Sequence, residues 1–221
     1  MRVVISGYGK MGHMVEDVLR ERGIEVAGAS EDIANFDKVL AKECVCIDFT
    51  FPASFRENYK VLADSFKAVV VGTTGWNDIA GEVTGYFRKK GTPMIYASNF
   101  SIGVNVTFAL CALAAEKLKN AGYSPSIVET HHIHKLDAPS GTAASMGEIV
   151  RGKMGVEVPI ESRRIGEVPG IHTIDFLSGC DKLTITHEAF SRKGFAEGAV
   201  TAALMTEGLE GVYEFKDLIL K

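Results

Sequence analysis

Arg2-Val-Val-Ile-Ser-Gly-Tyr-Gly-Lys-Met-Gly12 opens the chain and decides its fold. Residues 2–6 form a short run rich in β-branched side chains, and three glycines follow with the spacing G-x-G-x-x-G. Residues 13–20 then place apolar side chains at helical spacing. A strand, a glycine-rich turn and a helix in this order are typical of a dinucleotide-binding unit, in which the pyrophosphate lies at the helix N-terminus. The alternative is a glycine-rich turn in an α/β domain that binds nothing.

A second predicted strand, residues 24–29, is followed by two acids, Glu31 and Asp32. An acid roughly 20 residues after the first glycine is expected to bond a ribose hydroxyl of the dinucleotide. Either residue fits this position, so the sequence leaves the ribose contact open. Two carboxylates would repel a 2′-phosphate and favour NADH over NADPH, although Lys10 or Lys38 could offset that repulsion.

Strands and helices alternate through the first hundred residues. The apolar runs are continuous, which is typical of parallel strands covered on both faces. This alternation predicts an α/β fold with a Rossmann-like, doubly wound parallel sheet. The further predicted strands are residues 44–50, 68–71 and 92–97, and the predicted helices are residues 53–65 and 77–90.

Three strand ends carry small or polar residues, at 7–12, 72–75 and 97–100. Ligands of open α/β sheets bind at the carboxyl ends of strands, so we expect these turns to line one crevice. The turn at 72–75 follows a core strand, which favours contact with the nicotinamide. The candidate cofactor-binding residues are Gly7, Tyr8, Gly9, Lys10, Met11, Gly12, Glu31, Asp32, Gly72, Thr73, Thr74, Ala97, Ser98, Asn99 and Phe100.

The pattern changes near residue 102. Residues 106–121 predict a long apolar helix, with Leu110, Cys111 and Leu113 in its core. Residues 171–177 and 182–188 alternate apolar and polar side chains around a four-residue turn, which predicts an antiparallel hairpin. Residues 163–170 are interpreted as a loop or short strand, and residues 195–208 as a helix of small residues.

The chain is therefore divided into two expected domains. Residues 1–101 bind the dinucleotide, and the C-terminal segment 197–221 returns to this domain. Residues 102–196 form an α+β domain with a mixed or antiparallel sheet, which binds the substrate and mediates oligomer formation. Hinges are expected near residues 101–103 and near Gly194.

The run Glu129-Thr-His-His-Ile-His-Lys-Leu-Asp-Ala-Pro-Ser-Gly-Thr142 lies between a short predicted strand, 126–128, and a predicted helix, 143–150. Free amides at a helix start hold anions, so this cationic segment predicts a pocket for a small carboxylate. Ser140 is interpreted as the N-cap of the helix. A metal site built from His-His-x-His is the alternative. It is disfavoured, and no metal is expected, because an extended segment points His131 away from its neighbours and Lys135 would repel a cation.

Composition excludes several classes of function. The 24 basic and 28 acidic side chains leave a net charge of −4, which disfavours nucleic acid as a partner. No apolar stretch approaches a membrane span, and the first residues predict a strand rather than a signal peptide. The four cysteines lack the spacing of a zinc site or a disulfide framework. We therefore expect a cytoplasmic protein whose Cys44 and Cys46 are buried thiols.

Together, residues 7–12, 72–75, 99–105 and 129–142 closely resemble the 4-hydroxy-tetrahydrodipicolinate reductase family. The resemblance covers nearly the whole chain in order. The first loop is one residue shorter than in many members of the family. The family contains NADH- or NADPH-dependent enzymes of diaminopimelate and lysine synthesis, which are commonly tetrameric. The resemblance thus implies a homo-oligomer, and a cyclic dicarboxylate as the substrate to be reduced by a hydride.

The resemblance also implies roles for residues of the histidine motif. His131 is the implied general acid/base and Lys135 is its partnering donor, while His132, Gly141 and Thr142 bind the substrate. Glu129 either orients the histidines or is a surface acid at a strand end. His172 is either a structural residue or a secondary substrate contact.

Two alternative functions remain at this point. One is another nicotinamide-dependent oxidoreductase acting on an amino-acid-derived acid, similar to aspartate dehydrogenase. The other is a non-catalytic nucleotide-binding protein built on the same fold. Turnover of the expected substrate distinguishes the first alternative, and any turnover at all distinguishes the second.

Overall fold

The computed structural model describes residues 1–221 and divides into two compact units. The first unit comprises residues 1–101 and 193–221, and the second comprises residues 102–192. The strands are β1 (Arg2–Ser6), β2 (Glu25–Ser30), β3 (Cys44–Asp48), β4 (Ala68–Val71), β5 (Met94–Tyr96), β6 (Ser124–His131), β7 (Ile160–Arg164), β8 (Gly170–Leu177), β9 (Lys182–Ala189) and β10 (Val212–Glu214). The helices are α1 (Lys10–Glu21), α2 (Lys38–Ala41), α3 (Pro52–Ser65), α4 (Ala80–Lys90), α5 (Ile102–Leu118), α6 (Gly141–Met154), α7 (Lys193–Met205) and α8 (Phe215–Ile219).

The first unit contains a six-stranded sheet with the order β10-β5-β4-β3-β1-β2, in which every pair is parallel. Strands β3 and β4 are buried at every position, as expected for parallel strands covered on both faces. The sheet confirms the Rossmann-like, doubly wound architecture predicted from the sequence. Because all strands run the same way, their carboxyl ends share one edge of the sheet.

Alternate side chains of this sheet enter two separate cores. Val3 and Ile5 pack in a cluster with apolar residues of α1 and the small residues of α7. Val4 points to the opposite face and packs in a cluster with Phe55 of α3 and Phe87 of α4. The β-branched run that opens the chain is thus buried on both sides, which is why it forms a central strand.

The sequence did not predict strand β10. Residues 212–214 pair in parallel with β5 and form one edge of the sheet. All three residues are half-buried, so the strand shows no alternation of buried and exposed side chains over its short length. Its identity as a strand depends on pairing with a partner more than a hundred residues away in the chain.

Two predicted helices have different bounds in the structure. The helix predicted over 77–90 begins as a 3-10 turn, Asn77–Ile79, and is α-helical only from Ala80. The helix predicted over 106–121 runs from Ile102 to Leu118. It ends before Asn120 and Gly122 because both have positive φ angles, 64° and 81°, which are incompatible with a right-handed helix.

The second unit contains a mixed four-stranded sheet with the order β7-β6-β8-β9. The β6–β7 pair is parallel, whereas β6–β8 and β8–β9 are antiparallel, so the predicted hairpin and mixed sheet are confirmed. Ile127, Ile174 and Phe176 of the sheet pack with Met146 and Val150 of α6 in one core cluster. The segment 163–170 was expected to be a loop or short strand: Arg163 and Arg164 end β7, Ile160–Arg164, residues 165–169 form a loop, and Gly170 begins β8.

Helix α5 corrects one expectation about the core. Leu110 and Leu113 are 47% and 54% exposed, although the sequence placed them inside. The helix is apolar on nearly every side, so its sequence does not mark a buried face. Cys111 is fully buried as expected, and Ile102 and Val106 extend the exposed apolar stripe.

Gly198 of α7 allows close packing within the first unit. A Cβ atom at this position would overlap the Phe100 carbonyl, and the residue is buried. We expect Gly198→Ala to lower the free energy of unfolding by roughly 1–3 kcal/mol, as overpacking does. The matched control is Gly85→Ala in α4, where a Cβ atom meets nothing within 4 Å. The control should gain about 0.5–1 kcal/mol from the loss of a helical glycine. Urea unfolding measures both, and equal stability of the two variants would contradict the packing described here.

Candidate functional site

Asp48 joins three strand ends at the carboxyl edge of the parallel sheet. Its carboxylate is 1% exposed and accepts hydrogen bonds from Ser6 Oγ at 2.6 Å, Thr73 Oγ1 at 2.5 Å and Thr50 Oγ1 at 3.1 Å. Burial raises the pKa of Asp48, and the three hydroxyl donors only partly offset this. Thr50 N–H also donates to Thr73 Oγ1 at 2.7 Å. The turns after β1, β3 and β4 are therefore held as one structure.

The glycine-rich turn packs tightly on this edge. Gly7 has a φ of +85°, and a Cβ atom there would overlap the Phe49 carbonyl. A Cβ atom at Gly12 would overlap the Gly7 carbonyl. Gly9 is the N-cap of α1, has open space around it and provides no side-chain hydrogen bond to the helix. The first amides of α1 are thus left for an anion, which is the chemistry that a pyrophosphate needs.

The remaining candidate cofactor residues of this edge differ in exposure. Lys10, Thr74 and Ser98 are exposed, and Tyr8, Met11, Gly72, Ala97 and Asn99 are half-buried. Thr73 is bonded to Asp48 as described, and Phe100 is 2% exposed with its ring between those of Phe49 and Phe215. The structure thus brings all three predicted turns to the same edge of one sheet. Phe100 lies within the core of the unit.

Glu31 and Asp32 are both exposed immediately after β2. Asp32 accepts a hydrogen bond from Asn35 Nδ2 at 2.7 Å, whereas the Glu31 carboxylate has no hydrogen bond or ion pair within the protein. Glu31 is therefore the acid that is left to bond a ligand. Lys38 begins α2 and makes no ion pair.

In the second unit, neighbouring strands bring a carboxylate and two imidazoles together. Strand β6 extends to His131, well beyond the predicted 126–128, so Glu129 and His131 belong to the strand. Glu129 lies opposite His172 of β8 in the antiparallel register. His131 Nε2 is 3.2 Å from His172 Nε2 and 3.3 Å from Glu129 Oε2, and His172 Nε2 is 3.9 Å from the same carboxylate oxygen. We call Glu129, His131 and His172 the histidine–carboxylate cluster.

All three members of the cluster are buried, at 0% exposure for Glu129, 8% for His131 and 5% for His172. Glu129 is therefore a buried acid and not a surface acid at a strand end. His131 Nδ1 lies 3.0 Å from the Pro169 carbonyl oxygen. A carbonyl only accepts hydrogen bonds, so Nδ1 carries a proton and Nε2 of neutral His131 has a free lone pair.

The pKa values of all three cluster residues are lowered by their surroundings. Burial lowers the pKa of His131, and burial together with the neighbouring His131 lowers the pKa of His172 to about 4. Burial alone would raise the pKa of Glu129, but nearby hydroxyls of Ser140 and Ser162 and the Arg164 guanidinium lower it to about 2. At neutral pH the cluster thus holds one carboxylate and two neutral imidazoles.

Arg164 connects the cluster to the loop that follows β6. Its Nη2 donates to Glu129 Oε1 at 3.0 Å and to the Asp137 carbonyl oxygen at 2.7 Å, and its Nε donates to the Lys135 carbonyl oxygen at 3.3 Å. The Lys135 ammonium pairs with the Asp137 carboxylate at 2.8 Å and is partly buried. The loop that carries Lys135 is therefore anchored to the buried acid.

The start of α6 lies beside the same cluster. Ser140 is the N-cap, as predicted: its Oγ accepts from Ala143 N–H at 3.2 Å and lies 3.1 Å from His172 Nε2. Gly141 is exposed and Thr142 is half-buried, and both lie in the first turn of the helix, next to the fixed Ser140 cap. An anion can bind at the amides of such a helix start.

The other two motif histidines lie outside the cluster. His132 is half-buried and its Nδ1 has no hydrogen-bond partner, whereas the exposed His134 lies 3.0 Å from Glu167.

Sequence reasoning missed Asp48, Arg164 and the contact of His172 with His131. Asp48 was detectable as a polar residue at the end of an apolar strand. Arg164 gave no such signal, and His172 was noted only as a structural residue or a secondary substrate contact, because strand pairing alone brings both side chains to Glu129.

The first unit has a glycine-rich turn on a parallel sheet, and the second has a helix start beside buried histidines. Each feature is typical of the nicotinamide-dependent oxidoreductases. Residues 1–100 match the family description "Dihydrodipicolinate reductase, N-terminus", and residues 103–219 match "Dihydrodipicolinate reductase, C-terminus". The chain belongs to the dihydrodipicolinate reductase family. This confirms the resemblance found in the sequence.

Individual relatives agree with this assignment. The chain is 36% identical to the 4-hydroxy-tetrahydrodipicolinate reductase of Christiangramia forsetii, over 99% of this chain and 98% of the relative. It is 34% identical to that of Ralstonia pickettii over 99% of both chains. A dipicolinate-bound dihydrodipicolinate reductase from Paenisporosarcina sp. TG-14 has the same fold, with a TM-score of 0.80, 22% identity and 98% coverage of both chains. None of the eight helices combines the length and apolar character of a membrane span.

The cluster predicts a pH dependence of stability. The folded-state pKa of His172 lies near 4, below its ordinary value of 6.5, so protonation favours the unfolded chain. The stability from neutral His172 is complete above pH 6.5 and is lost as the pH falls toward 4. Between pH 7 and pH 5 we expect His172 to cost the wild type roughly 2 kcal/mol of unfolding free energy.

Urea unfolding of wild type, His172→Asn and His134→Asn at both pH values measures this effect. His172→Asn should lose much less stability on acidification, and the exposed His134→Asn should follow the wild type. An acid sensitivity that is the same in all three proteins would contradict the assigned state of His172.

Proposed function

We propose that the chain reduces 4-hydroxy-tetrahydrodipicolinate to tetrahydrodipicolinate in diaminopimelate and lysine synthesis, using NADH or NADPH. The observation that carries this proposal is the family match over both units, joined to an anion-binding helix start beside His131 and Lys135. When bound, the reduced nicotinamide supplies the hydride. Everything else that the reaction needs must come from side chains and amides of this chain.

The first unit would bind the dinucleotide at the carboxyl edge of its sheet. The amides at the start of α1 would hold the pyrophosphate, since Gly9 leaves the helix uncapped and open. Glu31 would accept from a ribose hydroxyl because its carboxylate has no partner in the protein. Thr73 and Thr74 would lie toward the nicotinamide, with Thr73 fixed by Asp48.

The substrate is a dicarboxylate, so two negative charges must be bound. The amides of Gly141 and Thr142 at the start of α6 suit one carboxylate, and this site is fixed by the Ser140 cap. Lys135 and His132, on the loop after β6, would bind the other. The two groups lie within eleven residues of one another in the motif, which suits a small cyclic molecule.

His131 would act as the general acid/base, with Lys135 as its partnering donor. Arrival of a hydride places negative charge on the substrate ring, and a proton must relieve it as the hydroxyl leaves as water. Both ring nitrogens of His131 contact other groups of the protein, Nδ1 at Pro169 and Nε2 at His172. Proton exchange with substrate would therefore replace the Nε2 contact to His172. Lys135 would give up its pairing with Asp137 to reach a substrate carboxylate or the leaving hydroxyl.

We also propose that the chain forms a homo-oligomer. The family resemblance implies a tetramer. The support for an oligomer is the stripe of Ile102, Val106, Leu110 and Leu113 on α5, each at least 41% exposed. An apolar stripe of this kind is more stable when covered by a partner.

The family assignment does not favour the alternative functions. An enzyme similar to aspartate dehydrogenase would act on a different acid, and a nucleotide-binding protein without turnover would not need the carboxylate site. Both would still bind the dinucleotide, so cofactor binding alone does not separate the three functions. Turnover of the proposed substrate does.

The roles of His131 and Lys135 predict a specific kinetic result. His131→Ala and Lys135→Ala should each lower kcat by about 10²–10⁴-fold, the usual contribution of a positioned proton donor. The dissociation constant for NADH should not change, because both residues belong to the second unit. His134→Ala is the matched control, since its imidazole is exposed and outside the cluster.

Freshly prepared substrate and a coupled assay of cofactor oxidation measure kcat, and fluorescence titration measures cofactor affinity. Wild-type rates in either the His131 or the Lys135 variant would remove that residue from proton transfer. Absence of turnover by the wild type would contradict the proposed function itself.

The two acids after β2 predict the choice of cofactor. A 2′-phosphate would meet Glu31 and Asp32, so kcat/KM should be higher with NADH than with NADPH. Glu31→Arg should move the ratio toward NADPH by roughly tenfold, as expected for a new charge-assisted bond. Glu57→Arg, the same charge change at an exposed site on α3, is the control. A ratio that does not respond to Glu31→Arg would place the ribose elsewhere.

A further inference from the structure

Three potential ligand atoms converge inside the second unit: Glu129 Oε2, His131 Nε2 and His172 Nε2. Their separations are 3.3, 3.2 and 3.9 Å, and the side chains are buried. Glu129 Oε2 has no hydrogen-bond partner although it is fully buried. A buried carboxylate oxygen without a donor is costly, so this oxygen points to a missing partner.

With both imidazoles neutral, no hydrogen bond reaches Glu129 Oε2. His131 uses its single proton at Nδ1, to donate to Pro169, so its Nε2 faces Glu129 Oε2 with one lone pair opposite another. His172 can donate from Nε2 to His131, and the Ser140 hydroxyl lies 3.1 Å from His172 Nε2, but neither group donates to Glu129 Oε2. A second proton on His131 would satisfy only its contact with Glu129, whereas a metal ion at the centre would bind all three atoms together.

We propose that the histidine–carboxylate cluster binds a divalent transition-metal ion, with Zn²⁺ as the best fit. Two imidazoles and one glutamate are a known zinc ligand set, with bonds of about 2.0–2.2 Å. Tetrahedral bonds of this length separate the ligand atoms by about 3.3–3.4 Å. Two of the three separations are within 0.2 Å of this distance, and a side-chain adjustment of roughly 0.5 Å brings in the third.

The groups around the cluster match those that support a metal ligand. The Nδ1–H of His131 donates to a backbone carbonyl, and Arg164 binds Oε1 of Glu129 and leaves Oε2 free. Metal-binding imidazoles and carboxylates are usually held by such outer contacts. His172 Nδ1 has no partner, so it can take the proton that the ion displaces from Nε2. Ion binding therefore moves one proton within a ring.

The positive charges of Arg164 and Lys135 would repel the ion, but each is already paired with a carboxylate. Arg164 is held by Glu129 Oε1 and by three backbone carbonyl oxygens, and the Lys135 ammonium is paired with Asp137. The other motif histidines do not contribute, since His134 is exposed and pairs with Glu167. The proposed site thus differs from a site built from His-His-x-His, which the sequence disfavoured.

Titration of the chelator-treated, full-length protein tests the proposal. Calorimetry with ZnCl₂ should show one tight site per chain. Co²⁺ should give the visible bands of a low-coordinate nitrogen–oxygen site, without a thiolate charge-transfer band. No bound ion, or a thiolate band, would overturn the proposal, because the latter would place the ion at a cysteine such as the exposed Cys180.

Variants locate the ion. Glu129→Gln and His172→Asn should each weaken Zn²⁺ binding by more than about 100-fold, the upper range for a lost outer contact. His134→Asn and Cys180→Ser should bind as the wild type does. Equal affinity in all variants would overturn the proposal. If a cluster variant fails to fold, judged by circular dichroism, the Co²⁺ spectrum of the wild type decides alone.

A consequence for activity rests on the proposed function. An ion at the cluster occupies His131 Nε2, so Zn²⁺ should stop turnover without displacing NADH. Tight binding at the cluster with full turnover would keep the metal site and remove His131 from the reaction. No turnover by the metal-free enzyme, with Zn²⁺ still bound at the cluster, would contradict the proposed function and leave the metal site standing.

Discussion

The buried carboxylate of Glu129 is the constraint on which the second unit is organised. A charge without solvent must be compensated by nearby donors, and here Arg164 and neighbouring hydroxyls do this and lower the pKa to about 2. The same Arg164 donates to the backbone of the loop that carries Lys135. The second carboxylate oxygen faces His131 and His172. One acid thus sets the loop geometry and the electrostatic surroundings of both imidazoles.

Asp48 is the corresponding buried acid of the first unit, but its pKa is shifted in the opposite direction. Its donors are the hydroxyls of Ser6, Thr50 and Thr73 and the Thr50 backbone, no guanidinium pairs with it, and burial raises its pKa. Asp48 ends β3, where its hydroxyl donors come from neighbouring strand ends, whereas Glu129 lies within β6, two residues before its end. Asp48 fixes the turns of a sheet edge that is proposed to bind a dinucleotide. Glu129 fixes groups that are proposed to move a proton.

Local patterns in the sequence predicted most of the fold. The glycine turn, the continuous apolar strands and the alternating hairpin each carry their signal within about ten residues, and each forms as expected. Strand β10 was missed because it has three residues and depends on β5 for its pairing. The buried face of α5 was misplaced because a helix that is apolar all round does not mark which side is covered.

The motif residues of the candidate site were found because they are contiguous, from Glu129 to Thr142. Their contacts with Arg164 and His172 were not predicted, since these two residues reach Glu129 only through the pairing of β7 and β8 with β6.

The surroundings that Glu129 sets up should fix the protonation of His131. Nitrogen-15 NMR of the metal-free protein at pH 7 reports the state of each ring nitrogen. We expect a neutral His131 ring with its proton on Nδ1. A doubly protonated ring, or a proton on Nε2, would contradict it.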